Sequence, residues 1–281
     1  MKISQQDIVH LVEKMPAFPK TVHRVIELTS DMNCNPKDLV ELIEHDPVMV
    51  MNILRLVNSA YFGLAQPITS VNHAVVYIGL NTVKNVALST ATIGVLPKRN
   101  EAGFDMEAFL LHSLSTATIA RMMAKRMKVP SKDLFDYFLA GLMHDFGKIV
   151  FANFMPHEFK IALKIAKENS IHLYEAENEI FDINHAQVGS LLGEKWQLPQ
   201  SLVDSLKCHH SHKEGKSQII DVVSAADQIT KELKFGYSGE NLLEALPAII
   251  TKQFGKDINA IVTDLGDVNT EIDNARIFIS S

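Results

Sequence analysis

His144 and Asp145 stand side by side in the stretch Ala140-Gly141-Leu142-Met143-His144-Asp145-Phe146-Gly147-Lys148. Apolar residues precede the pair, and a glycine and a lysine follow it. A buried carboxylate is uncommon unless it is paired or metal-bound. An imidazole beside a carboxylate suits one task well. The imidazole ligates a metal ion, and the carboxylate ligates the same ion or bridges to a second. The chain offers further candidate ligands in His112, His185, the adjacent His209 and His210, and Asp227. Singly, each has a purely structural reading: a hydrogen-bonded core histidine, a solvated His-His at a helix end, an Asp227–Lys231 pair at i,i+4. Together, five histidines and two aspartates from five helical segments form an N/O ligand set that suits Fe, Mn, Zn or a mixture. Spacing alone does not show that they converge.

The elements that would have to place these ligands read as helix after helix. Ser4 with Asp7 resembles a capping box opening a helix to Lys14. Met15-Pro16-Ala17-Phe18-Pro19 is a break, followed by a helix over 20–32. Asn35-Pro36 and Asp46-Pro47 read as N-caps with proline at N1, opening helices near 36–45 and 47–58. The second of these is apolar nearly all round, which predicts burial on most sides. Helices near 70–78 and 81–95 follow, and polar residues 97–103 mark a boundary between two halves.

The second half opens with a long helix over 104–127. Small residues at Ser113, Ala117, Ala120 and Ala124 would let a neighbour pack close. The helix after Pro130-Ser131 carries His144-Asp145, with Gly147 ending or distorting it. Helices near 157–169, 173–181, 185–196, 200–210 and 217–234 come next. Residues 240–281 read as one or two amphipathic helices, with Arg276-Ile277-Phe278-Ile279 docking as a tail. No sustained β-type alternation is present. The expected fold is all-α: a multi-helix bundle with an N-terminal helical lobe over 1–100, a site-bearing lobe over 101–235 and a helical extension over 236–281.

Composition narrows the function classes. The chain has 281 residues, 47% hydrophobic and 21% charged, with a net charge of −6. Residues 1–100 sum to +1 and residues 101–281 to −7. No long basic run exists, so sequence-independent nucleic-acid binding is not expected. The densest basic group, Lys125, Arg126 and Lys128, ends a helix, where cations favour the macrodipole. Cys34 and Cys208 form no CxxC and indicate no disulfide framework. The first residues hold no apolar signal core, and no run approaches the ~18 apolar residues of a membrane span. A cytoplasmic location with no membrane partner is the expectation.

The pattern His112…His144-Asp145…Asp227 resembles the HD phosphohydrolase superfamily. His185 in His-Ala-Gln-Val-Gly, with His209-His210, resembles the extra ligands of its HD-GYP branch. Lys148 matches the lysine of that branch's HDxGK motif, where it contacts substrate phosphate. Asp46-Pro47, Leu54-Arg55-Leu56-Val57-Asn58-Ser59-Ala60-Tyr61-Phe62-Gly63, Ile68-Thr69-Ser70 and Ala74-Val75-Val76-Tyr77-Ile78-Gly79 are similar to the HDOD domain, the HD-related output domain. Met15–Pro19 resembles its entry motif, and Trp196-Gln197-Leu198-Pro199 also fits.

The resemblance implies an HD-like bundle with one or two divalent ions (Fe, Mn, Zn or Ni). His112, His144, Asp145 and Asp227 would hold one ion. His185, His209 and His210 would hold another, with Asp145 bridging. Asp145 and Lys148 would act in phosphomonoester or phosphodiester hydrolysis. The implied partners are a phosphate-containing small molecule or a signalling protein, and a non-catalytic regulatory module is the alternative. Two departures matter. His209-His210 is followed by Ser-His-Lys-Glu-Gly instead of a GYP motif, which argues against cyclic-di-GMP hydrolysis by the HD-GYP route. Ala108 stands where three-ion sites carry a glutamate, so at most two ions are expected.

Overall fold

The computed structural model describes residues 5–30, 34–211 and 217–279. The expected cap at Ser4, the end of the second helix at Met32 and His212 to Lys216 lie outside the described residues. The first half comprises α1 (Gln5–Lys14), α2 (Lys20–Ser30), α3 (Pro36–Glu44), α4 (Pro47–Val57), α5 (Val71–Ile78) and α6 (Leu80–Gly94). The second comprises α7 (Met106–Arg126), α8 (Leu134–Met143), α9 (Gly147–Phe154), α10 (Pro156–Asn169), α11 (Leu173–Phe181), α12 (His185–Lys195), α13 (Gln200–Cys208) and α14 (Gln218–Glu232). The chain ends in α15 (Ala248–Phe254), α16 (Ile258–Leu265), α17 (Val268–Ala275) and a 3-10 turn over Arg276–Phe278. The fold is all-α. The tail holds three short helices where one or two were expected, because Gly255 and Gly266, both at positive φ, end α15 and α16.

Local chemistry starts the helices where the sequence says. Asn35 accepts from the Lys37 amide and Asp46 from the Met49 amide, each with proline at the first helical position. Asp105 accepts from the amides of Glu107 and Ala108 and starts α7. One expectation fails. α4 is apolar nearly all round, yet Val48 and Met51 are well exposed while Met49, Ile53, Leu56 and Val57 are buried. Its neighbours α3, α5 and α6 cover only part of its circumference.

α7 is the spine, packed by α8, α14, α16 and α17. Its small residues act as the spacing suggests. A Cβ added at Gly141 of α8 would lie 2.8 Å from the Ala117 Cα, so the two backbones are nearly in contact. The two halves are tied by polar anchors. Lys195 donates to the carbonyls of Val12, Glu13 and Met15 at 2.9, 2.6 and 2.8 Å. The Trp196 indole donates to Pro16 at 3.1 Å and stacks on Phe18. The break at Met15–Pro19 is thus a docking segment on the end of α12.

The Asn58–Gly63 corner is a turn closed from outside. The Asn58 side chain bonds both backbone groups of Ile68, at 2.8 and 2.7 Å, and Gly63 supplies the positive φ. Tyr61 drops into an aromatic cluster with Phe135, Phe138 and the tail residue Phe278. Among the described residues, no helix is long and apolar enough to cross a membrane.

The close α7–α8 crossing makes a direct prediction. Gly141→Ala forces those backbones apart and is expected to cost about 1–3 kcal/mol. A urea midpoint unchanged from the parent would show that the crossing has slack.

Candidate metal centre

Three helix junctions and two helix interiors converge at one point. α7 delivers His112 from its middle. His144 and Asp145 were expected on a helix that Gly147 ends, but α8 ends at Met143 and Gly147 is the first residue of α9. The pair therefore sits in the turn between two helices. The glycine is required for packing. A Cβ there would lie 1.9 Å from the His185 carbonyl oxygen and 2.7 Å from the Gly189 nitrogen. Its absence lets the start of α9 abut the start of α12, which brings His185 to Asp145. His209 and His210 leave the end of α13, and Asp227 comes from the interior of α14.

The structure brings all seven expected ligands together, in two groups that meet at Asp145. On one side, Asp145 Oδ2 lies 3.3 Å from His144 Nε2 and 3.8 Å from His112 Nε2. Asp227 Oδ1 lies 3.1 and 3.7 Å from the same two nitrogens. On the other side, Asp145 Oδ1 lies 3.2 Å from His185 Nε2 and 3.6 Å from His209 Nε2. His185 Nε2 is 2.9 Å from His210 Nε2.

The outer ring nitrogens fix which inner nitrogens are free. His144 Nδ1 bonds the Gly141 carbonyl at 2.7 Å and His209 Nδ1 the Leu206 carbonyl at 2.8 Å. A carbonyl only accepts, so each Nδ1 carries the proton and each Nε2 in the neutral ring is left with a lone pair facing the centre. The Nε2 atoms of His112, His144 and His209 and Asp227 Oδ1 are buried and make no hydrogen bond. Orphaned buried donors and acceptors are rare. Four of them turned toward one another fit a site built for divalent ions.

Of the groups behind the candidate ligands, sequence reasoning missed Glu177, named Lys231 as the partner of Asp227 and gave Lys148 to a substrate phosphate. Glu177, fully buried on α11, accepts from His185 Nδ1 at 2.6 Å and from the His185 amide at 2.7 Å. Its signal was a glutamate on the apolar face that holds Leu173, Ala176 and Phe181. Lys231 does pair with Asp227 at i+4, through Oδ2 at 3.0 Å, while Asp227 Oδ1 turns to the centre. The two readings of Asp227 were not exclusive. Lys148 is buried, with its ammonium 2.6 Å from Asp145 Oδ2 and 3.3 Å from the Ser238 hydroxyl. It faces Asp145 directly.

Electrostatics follow from burial and these pairings. Burial alone would raise Asp145 and Asp227, but His144 and Lys148 hold the first, and Lys231 and His112 the second, well below the usual carboxylate range. Burial pulls His144 down, yet Asp145 and Asp227 outweigh it and leave this imidazole at about 9. Burial takes His209 down to about 4 and His210 well below its ordinary value. At His185 burial pulls the imidazole down, but Glu177 and Asp145 together outweigh it and raise it.

Residues 15–212 match the HDOD domain family. The chain belongs to that family. The HDOD match stops short of Asp227 and everything after it. Three solved structures share the fold over nearly all of this chain. An HDOD domain protein of unknown function from Geobacter sulfurreducens is 24% identical, with a TM-score of 0.76 over 98% of each chain. A candidate phosphohydrolase from Shewanella amazonensis SB2B is 21% identical, with a TM-score of 0.73 over 96% of this chain and 97% of its own. A candidate signal transduction protein from Marinobacter aquaeolei VT8 is 21% identical, with a TM-score of 0.71 over 98% of this chain and 66% of its own. An uncharacterized protein of Treponema pallidum (strain Nichols) is 23% identical over 88% of this chain, which spans only 47% of that relative's length.

In this HDOD chain the centre is covered by residues 236–247, an irregular segment beyond the family match. Gly236, at φ +71°, lies against α7, where a Cβ would meet the Ala108 carbonyl at 2.2 Å and the His112 nitrogen at 2.4 Å. Tyr237 donates its amide to the Ala108 carbonyl at 3.0 Å. Ala108, the position of the missing glutamate, is thus a backbone anchor for the cover. Glu240 pairs with Lys231 at 2.7 Å, and Glu244 reaches His210 Nδ1 at 3.2 Å.

His144 sets a pH signature for ion uptake. In the ion-free protein its pKa lies above the ordinary 6.5, at about 9. A raised imidazole contributes stability fully below 6.5 and loses that contribution as pH climbs to 9. A divalent ion must displace the same proton. Thermal melts with and without Mn(II) should therefore diverge from pH 6.5 to 9 as the ion's stabilisation grows. Parallel curves over that range would contradict the arrangement.

Proposed function

We propose that this chain is an HDOD signalling protein whose core is a two-ion centre, and that the centre's chemistry is hydrolysis of a phosphate ester. The observation that carries this reading is the division of labour at Asp145. Its two carboxylate oxygens face two separate sets of N/O donors. Ions bound there would supply Lewis-acid activation of a phosphoryl group and of water at neutral pH. His112, His144 and Asp227 would hold one ion, and His185, His209 and His210 the other, with Asp145 common to both. The identity of the ions is left open among Fe, Mn, Zn and Ni.

The remaining groups serve the ligands. Lys148 keeps Asp145 ionised by facing Oδ2 at 2.6 Å, and Lys231 does the same for Asp227. Glu177 fixes the His185 ring with Nε2 inward. Where the substrate reaches the centre, His210 is the way in. Its side chain is 11% exposed, while those of the other ligands are 4% or less. Tyr174, whose ring lies 4.6 Å from that of His210, and Glu244 flank this edge. In this reading the Glu244 carboxylate stands where a phosphate would enter, and residues 236–247 move for turnover.

That closure also favours a second reading, a regulatory module that keeps the centre for structure and binds a signalling partner or a phosphate-containing molecule without turnover. One experiment separates the two. Protein loaded with Mn(II) or Fe(II) is assayed against aryl phosphate mono- and diesters, nucleotides and cyclic dinucleotides. The hydrolase reading expects metal-dependent turnover that falls about 10³-fold or more in Asp145→Ala and rises in Glu244→Ala. A fully loaded protein inactive on every substrate, in the parent and in Glu244→Ala alike, would overturn hydrolysis and leave the regulatory module.

A further inference from the structure

Two sequence features are left unused by the metal centre: the Asn58–Gly63 corner and the basic group at the end of α7. The structure places them on one cavity of about 590 Å³, lined by Tyr61 and Phe62, by Arg121, Lys125 and Lys128, and by Glu271 of α17. That volume is in the range of small-molecule sites, about 300–1,000 Å³. The cavity is separate from the metal centre. Arg121 is nine residues beyond His112 on the same helix, about 14 Å of helix rise.

Arg121, Lys125 and Lys128 are spaced i, i+4, i+7 and share a face of α7 and its end. Arg126, between them, is occupied in a two-pronged pair with Asp264. No such pair with a carboxylate exists for the other three among the described residues. A helix C-terminus favours cations, which accounts for Lys125 and Lys128 being tolerated there. It does not account for Arg121, which sits further inside the helix. Its guanidinium is held over the Tyr61 ring, 4.5 Å from the centroid, and 5.5 Å from that of Phe135. Stacking fixes the guanidinium plane and leaves its N–H donors uncommitted to any carboxylate.

Tyr61, 5% exposed, forms the buried floor on which the Arg121 guanidinium rests. Phe62 stacks one way, on Phe135 at 5.4 Å and 10°, and is itself half-buried at the cavity wall. Cations for phosphate, an aromatic wall and one carboxylate able to accept from a hydroxyl or an amine make a combined set of contacts. Together they match a base, a sugar and a phosphate.

We infer that this cavity binds a nucleotide, with phosphate on Arg121, Lys125 and Lys128, the base against Phe62, and Glu271 accepting from the sugar or base. Such a ligand would touch the N-terminal half, α7 and the C-terminal extension at once. It would therefore act on how those three parts sit together.

The test is calorimetric titration of the metal-loaded full chain with ATP, GTP, cyclic di-GMP and inorganic pyrophosphate. At least one nucleotide should bind, tenfold or more tighter than pyrophosphate. Lys125→Glu/Lys128→Glu, a pair of exposed positions that leave the Arg121 stack intact, should weaken it tenfold or more with an unchanged melting temperature. Arg121→Gln should do the same. Asp145→Asn should leave the affinity within twofold, which separates this site from the metal centre. No nucleotide binding up to 1 mM, pyrophosphate binding as tightly as the nucleotides, or binding that survives the lysine variant but is lost in Asp145→Asn would each overturn the assignment.

Discussion

The structure depends on a carboxylate placed where carboxylates are costly. Asp145 is almost fully buried beside four imidazoles, and Asp227 is buried close by. Removing a charge from water costs several kcal/mol unless geometry and hydrogen bonds offset it. The offset is visible atom by atom. Lys148 stands on one oxygen of Asp145, Lys231 on one oxygen of Asp227, and Glu240 and Glu177 balance the cationic side. What these pairs leave over is as informative as what they satisfy. Several inward nitrogens and one carboxylate oxygen remain without partners. A core arranged only for stability would have closed those bonds or replaced the groups by apolar ones.

The fold follows from the need to hold that point. α7 must approach α8 closely enough for His112 to face His144, which is why Ala117 meets Gly141 with no room for a side chain. α9 must approach α12 closely enough for Asp145 to face His185, which is why residue 147 is glycine. Among the described residues, the N-terminal half contributes none of the seven converging groups. It is fastened to the far end of α12 through Lys195 and Trp196, the same helix whose first residue is His185. This helix and the aromatic cluster around Tyr61 are physical connections between the halves.

Much of this was legible in the chain. The N-caps at Asn35 and Asp46, the small-residue face of α7 and the docking of Phe278 are local or periodic features, and local features survive folding. The seven converging side chains were legible as a list, because His-Asp and His-His pairs are conspicuous in apolar surroundings. Their geometry was not, since convergence of five segments is a long-range property. The supporting groups Glu177 and Glu240 were illegible for a related reason. A buried charge looks like a surface charge until its partner, eight or nine residues or most of a domain away, is known. The exposed side of α4 misled in the opposite direction, since an apolar stretch does not say whether a neighbour covers it.

The central claim is that Asp145 is shared between two ions. Electron paramagnetic resonance of protein loaded with two equivalents of Mn(II) tests it directly. A shared carboxylate couples the two spins, so the account predicts an exchange-coupled dimanganese spectrum that reverts to an isolated-ion signal in Asp145→Ala. Two equivalents bound with only the isolated six-line signal, unchanged by that substitution, would contradict it.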